Sequence, residues 1–236
     1  VVIGCLVGAH TWDYPVYLAV AGAGLAYKYL FQLRRTTDGK EEKHYLGFLL
    51  PVLSLFIISF VLYLPFNLHF LGEQAGQNRG GIGIVDLRTP LGLFLTAVGL
   101  YIFFPAVYLV IRLMNPEPEE EETKKSPLTP FILFILAAIP AIIMGGGAGA
   151  SIPSYIFIFL LLGAVISVLI LFPGKDEESF PLILVLVALG LTFFCEFFFM
   201  IDHYQGGGYE RMNTMFKVYT NVWLLLGAAV VFFIYL

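Results

Sequence analysis

Apolar runs of about twenty residues recur along this chain, and they exclude most of what 236 residues could otherwise fold into. Hydrocarbon offers no partner to a backbone N–H or C=O. A segment that crosses it must therefore satisfy those groups internally, as a helix or as part of a closed barrel. Barrel strands are short and alternate in polarity, whereas these runs are long and unbroken. They predict an all-α fold, a polytopic transmembrane helical bundle. Composition agrees, with 59% hydrophobic residues, 13% charged residues and a mean hydropathy of +0.86. A soluble domain is closer to half apolar and a quarter charged.

Taken in order, Val1 to Ala9 is apolar but too short to cross, and reads as a truncated N-terminal helix. HTWDYP at 10–15 follows, where Thr11 or Asp13 can cap a helix with Pro15 in its first turn. That helix is expected to reach Leu33. Further spans are predicted over Tyr45–Pro65, Pro90–Arg112, Pro130–Met144, Ile152–Phe172, Pro181–Ile201 and Met215–Leu236, about seven in all. The pair at 130–172 encloses GGGAGAS and is compatible with a full or a re-entrant hairpin. Residues 1–236 thus form a single integral membrane domain. The chain opens at Val1 without a Met or a basic leader, which suggests a segment of a longer protein.

Charge sets the orientation. With the loop at 34–44 placed inside, alternation puts 113–129 and 173–180 inside as well. The inner side then carries Lys28, Arg34, Arg35, Lys40, Lys43, Arg112, Lys124, Lys125 and Lys175, and the outer side Arg79, Arg88, Arg211 and Lys217. This satisfies the positive-inside tendency. HTWDYP, the Gly-rich connection 66–89 and the loop 202–214 all face the outer boundary in consequence. No basic stripe interleaved with aromatics suggests nucleic acid, so the partner expected first is the lipid bilayer of a cell membrane. Cys5 and Cys195 are too few for a disulfide framework and are expected as buried free thiols.

The outer polar inventory is His10, Asp13, His69, Glu73, Asn78, Arg79, Asp86, Arg88, Glu196, Asp202, His203, Glu210, Arg211, Asn213 and Lys217. No HExxH or paired-His spacing marks a metal site, and no GxSxG elbow marks a nucleophile. Four cations at a membrane boundary suit a phosphate or diphosphate headgroup, with Arg as a bidentate fork and Lys as a point charge. Arg and Lys also snorkel to interfaces without binding anything. Glu196 lies inside its apolar run and must be paired or protonated. Arg211 or another outer cation is its expected partner. Arg211 and Asn213 stand at the entry to the last helix, where free N–H groups and the helix dipole favour an anion.

TWDYPVY at 11–17, RTPLGLF at 88–94 and ERMNTMFKVYTNVW at 210–223, with Glu196 and Asp202 upstream of the last, carry a resemblance. Together they resemble the motifs of the YYY-domain membrane proteins of archaea and Chloroflexi. Members usually show Asn-Thr-Trp-Asp-Phe-Pro-Thr-Tyr where this chain has AHTWDYPVY, and Arg-Met-Asn-Thr-Val-Phe-Lys-Phe-Tyr where it has RMNTMFKVY. That family is similar to the polytopic GT-C-type glycosyltransferases. The resemblance implies a domain that binds a polyprenyl-phosphate-linked sugar on the extracytoplasmic face, with polyprenyl phosphate and a divalent cation as the implied ligands. Its implied phosphate-binding residues are Arg211, Lys217, Arg88 and Arg79. Asp13, Glu196 and Asp202 are the catalytic candidates, supported by Trp12, Asn213 and Tyr219. The main acid of such enzymes lies in a first outer loop, expected upstream of Val1. Two other readings compete: a non-catalytic subunit of a membrane complex held by an internal salt-bridge network, and a transporter with a protonatable Glu196.

Overall fold

The computed structural model describes residues 2–9, 12–29, 44–69, 81–114, 153–171, 176–201 and 209–235. Within these, the helices are α1 (Val2–Ala9), α2 (Asp13–Tyr27), α3 (His44–Val61), α4 (Leu91–Met114), α5 (Ser154–Leu171), α6 (Asp176–Phe197) and α7 (Met212–Tyr235). Two short strands, β1 (Ile82–Ile84) and β2 (Phe198–Met200), pair antiparallel with Gly83 opposite Phe199. The fold is mostly helical, as expected, and this ribbon is the exception.

Three of the described helices are long and apolar enough to cross a membrane: Leu91–Met114, Glu177–Phe197 and Met212–Tyr235. This is fewer than the seven or so expected from the runs alone. The apolar stretches Leu49–Val61 in α3 and Ser154–Ile170 in α5 fall short by length, and α2 is a 15-residue helix. The expected span 130–144 lies outside the described residues. The run predicted to continue to Ile201 stops being helical at Phe197, because the next three residues leave the helix ladder to pair with β1.

The chain divides into two compact units. The first comprises Val1–Ile84 and Phe198–Asn221. Here α1, α2 and α3 pack on one another. The Tyr63 ring lies where a side chain on Gly4 would stand, and the Tyr63 hydroxyl meets the Cys5 sulfur. The Tyr14 hydroxyl joins Ser59 Oγ at 2.9 Å, and Ser59 in turn donates to the Phe56 carbonyl at 2.9 Å. Cys5 is a free thiol but an exposed one, contrary to expectation, because α1 buries Gly4 rather than its neighbour. Cys195, in the second unit, is free and buried.

The second unit comprises Val85–Phe197 and Val222–Leu236. Its core is built from one face of α4 (Phe94, Val98, Ile102, Leu109), from α5 (Ile156, Ile158, Val165, Val168), from α6 and from the end of α7 (Leu225, Leu226, Ala229). The α4 residues recur at helical spacing, so one stripe is buried and the opposite one is not. On that other face Leu93, Leu100, Phe103, Val107, Val110, Ile111 and Met114 are exposed. Water would penalise so large an apolar stripe, whereas lipid does not. Helix α6 is the more enclosed, with 61% of its apolar window buried against 28% for α4. Its core residues are therefore apolar nearly all round, as a central membrane helix requires.

Candidate functional site

In the first unit, TWDYP and the last-helix motif meet. Trp12 takes the N-cap position of α2 with helical φ and ψ of −74° and −23°, and its side chain caps nothing. Asp13 therefore opens the helix, with its carboxylate at the positive end of the dipole. Pro15 is the third helical residue, where no intrahelical N–H bond is lost. On α7, Lys217 and Asn221 are four residues apart and share a face. The buried Asn221 amide donates to Asp13 Oδ1 at 2.8 Å and to the Lys217 carbonyl at 3.3 Å. Lys217 Nζ lies 5.3 Å from the centroid of the Trp12 ring, inside cation–π range. Among the described residues this ammonium meets an indole face and not a carboxylate. Both side chains are half-buried, so the pair keeps one side open.

In the second unit, Glu196 is 0% exposed. Its Oε2 accepts the Thr89 backbone N–H at 2.9 Å and its Oε1 the Thr89 hydroxyl at 2.6 Å. Thr89 precedes Pro90, which disfavours helical backbone and leaves both donors free to turn outward. The Thr89 carbonyl accepts Ser154 N–H at 2.9 Å, and Pro90 bridges Pro153, so the starts of α4 and α5 are held together around this carboxylate. The Arg88 guanidinium donates to the Val85 carbonyl and lies 4.8 Å over the Phe197 ring, which also packs on Tyr155. At the other end of α4, Glu178 Oε2 accepts the Tyr108 hydroxyl at 3.0 Å and pairs with Arg112 at 3.4 Å. Both ends of α4 are thus tied to α6, which fixes the two helices antiparallel.

The structure brings Trp12, Asp13 and Lys217 together. Arg211 and Asn213 stand at the entry and in the first turn of α7, where the Arg211 carbonyl accepts Met215 N–H at 2.8 Å. Tyr219 is buried on the same helix. Arg88 and Glu196 belong to the second unit. Arg79 and Asp202, together with His10, Glu73, Asn78 and His203, lie outside the described residues. No three His, Cys, Asp or Glu side chains come together among the described residues, so the implied divalent cation has no ligand set there. Sequence reasoning passed over Asn221 and Thr89, the donors to Asp13 and Glu196. Asn221 carried a usable signal, as an amide inside an apolar run one turn beyond Lys217. The signal at Thr89 was a hydroxyl directly before a helix-opening proline.

Compared with known proteins, residues 1–226 match the family model described as "Uncharacterized membrane protein (DUF2298)". No curated protein and no solved structure matches.

Proposed function

The chain belongs to this family of uncharacterized membrane proteins, and on that premise we propose that it is a membrane-embedded, GT-C-like domain binding a polyprenyl-phosphate-linked sugar at the extracytoplasmic face. One observation carries the reading. Lys217 is set over the Trp12 indole, beside the Asp13–Asn221 contact, and among the described residues no carboxylate pairs with it. A purely structural network would use the ammonium to cancel a buried acid. Here it remains a positive point suited to phosphate, and the half-buried indole offers an apolar plate to a sugar ring. Asp13 supplies an acceptor for a sugar or acceptor hydroxyl. Arg211, at the entry to α7, adds a fork where helix N–H groups already favour an anion. In this reading Arg79 is a further phosphate candidate and Asp202 a catalytic one in the same unit, while Arg88 and Glu196 are candidates within the second unit by itself.

The test replaces Lys217 and Arg211 singly with Gln in bilayer nanodiscs and measures polyprenyl phosphate binding alongside Tm. We expect affinity to fall about tenfold or more for each, the scale of one lost charged contact, with Tm nearly unchanged. Unchanged binding with a large fall in Tm would instead favour the second reading, a non-catalytic membrane subunit. That reading draws on Glu196, whose carboxylate is enclosed and engaged by both Thr89 donors.

A further inference from the structure

We infer that the β1–β2 ribbon is an interfacial membrane anchor, with one face seated among lipid chains at the headgroup boundary of a single leaflet. The register places Ile82 opposite Met200 and Ile84 opposite Phe198. Cross-strand partners point to the same side of a sheet, so these four side chains make one wholly apolar face. That face is open: Ile82 is 60% exposed, Ile84 71% and Phe198 40%. The opposite face is occupied. A Cβ on Gly83 would overlap the Phe199 ring, and one on Gly81 would come within 3.0 Å of Ile201. That second face is filled by the ribbon's own Phe199 and Ile201 side chains lying over Gly83 and Gly81, and the first presents Ile82, Ile84 and Phe198 outward.

Its attachment fixes the depth. Met200 N–H, which points away from the strand pair, donates to Thr214 Oγ1 at 3.0 Å. Thr214 is the third residue of α7, a 24-residue candidate span. The level follows from α6, whose candidate span Glu177–Phe197 has 21 residues and is about 32 Å long against a hydrocarbon core of about 30 Å, so Phe197 stands at the edge of the hydrocarbon and Phe198 directly follows it. A two-stranded ribbon has free edges, and unsatisfied backbone groups are excluded from the hydrocarbon interior. They are tolerated at the headgroup level, where water reaches them. Apolar side chains projecting from a backbone at that level enter the upper acyl region. The occupant of the face is therefore lipid, and the ribbon needs neither a second copy nor another protein to cover it.

The experiment uses the full chain with Cys5→Ser and a single added cysteine, Ile84→Cys, labelled with an environment-sensitive fluorophore and reconstituted in phosphatidylcholine vesicles. Cys195 is buried and stays in place. Quenching is measured with lipids spin-labelled near the headgroup, with lipids spin-labelled near the chain end, and with aqueous iodide. We expect the shallow lipid quencher to act at least twofold more strongly than the deep one, with iodide quenching reduced at least twofold relative to free dye. Full iodide quenching would overturn the proposal by placing the face in water. Protection from both lipid and iodide would overturn it equally, since protein would then cover the face. If Ile84→Cys fails to fold, Ile82→Cys probes the same face and is held to the same outcomes.

Discussion

Glu196 sits where an uncompensated charge is most costly, fully enclosed by a membrane domain, and one residue supplies two of its donors. Hydrogen bonds to a charged group contribute about 1.5–3 kcal/mol each, and leaving such a group short of a partner costs its desolvation as well. Thr89→Val removes the hydroxyl donor and keeps the side-chain shape. It is expected to destabilise the domain by about 1.5–3 kcal/mol, read as a lower Tm or a lower denaturant midpoint in detergent. A loss below about 0.5 kcal/mol would show that the hydroxyl contributes little to holding the carboxylate. Asn221 and Asp13 follow the same logic on the other unit, with a buried amide satisfied partly by its own helix and partly by a carboxylate 208 residues away in sequence. Neither pairing was legible from the residues alone. The sequence marked Glu196 and Asp13 as groups needing partners, but the polar side chains able to supply one were many and mostly far along the chain.

At the scale of elements, the change from α6 to β2 is decided by a glycine. Phe199 can cross the ribbon only because Gly83 has no Cβ, and the crossing aligns Phe198–Met200 with Ile82–Ile84. Gly83→Ala should cost about 1–3 kcal/mol, the usual penalty of overpacking, and should show as a reduced Tm. Adding Phe199→Ala removes the overlapping ring, so the double variant should recover part of the loss. Strict additivity of the two changes would mean that the ring and the glycine are not coupled. Hydropathy could not anticipate this break. Phe198, Phe199 and Met200 suit a membrane helix as well as they suit a strand, and the choice between them rests on a partner more than a hundred residues upstream. Both ends of α4 and the start of α7 were legible to within a few residues, since proline or polar residues open these helices and charge closes α4.

For the whole molecule, the antiparallel pairing of the candidate spans α4 and α6 sets the starts of these two helices at opposite ends, and the positive-inside tendency predicts the start of α4 outside and that of α6 inside. Leu87 and Glu177 are both exposed and belong to one unit. An impermeant maleimide should label Leu87→Cys and Glu177→Cys, each in a background lacking Cys5, from opposite sides of a sealed membrane. Labelling of both from one side would refute the alternation. The class of the protein was determined by the sequence without reference to any contact. Hydrocarbon obliges every crossing segment to satisfy its own backbone, so length and polarity alone mark the chain as a helical membrane protein, while the spans they suggested outnumber the three that qualify among the described helices. That constraint is local, and a local pattern can record it. Tertiary structure decided which polar residues meet: Asp13 with Asn221, Lys217 with Trp12, Glu196 with Thr89. Those meetings depend on helix rotation and on contacts across as many as 208 residues. Lipid penalises every unpartnered polar group regardless of which partner it lacks, so the apolar pattern demands a pairing without naming it.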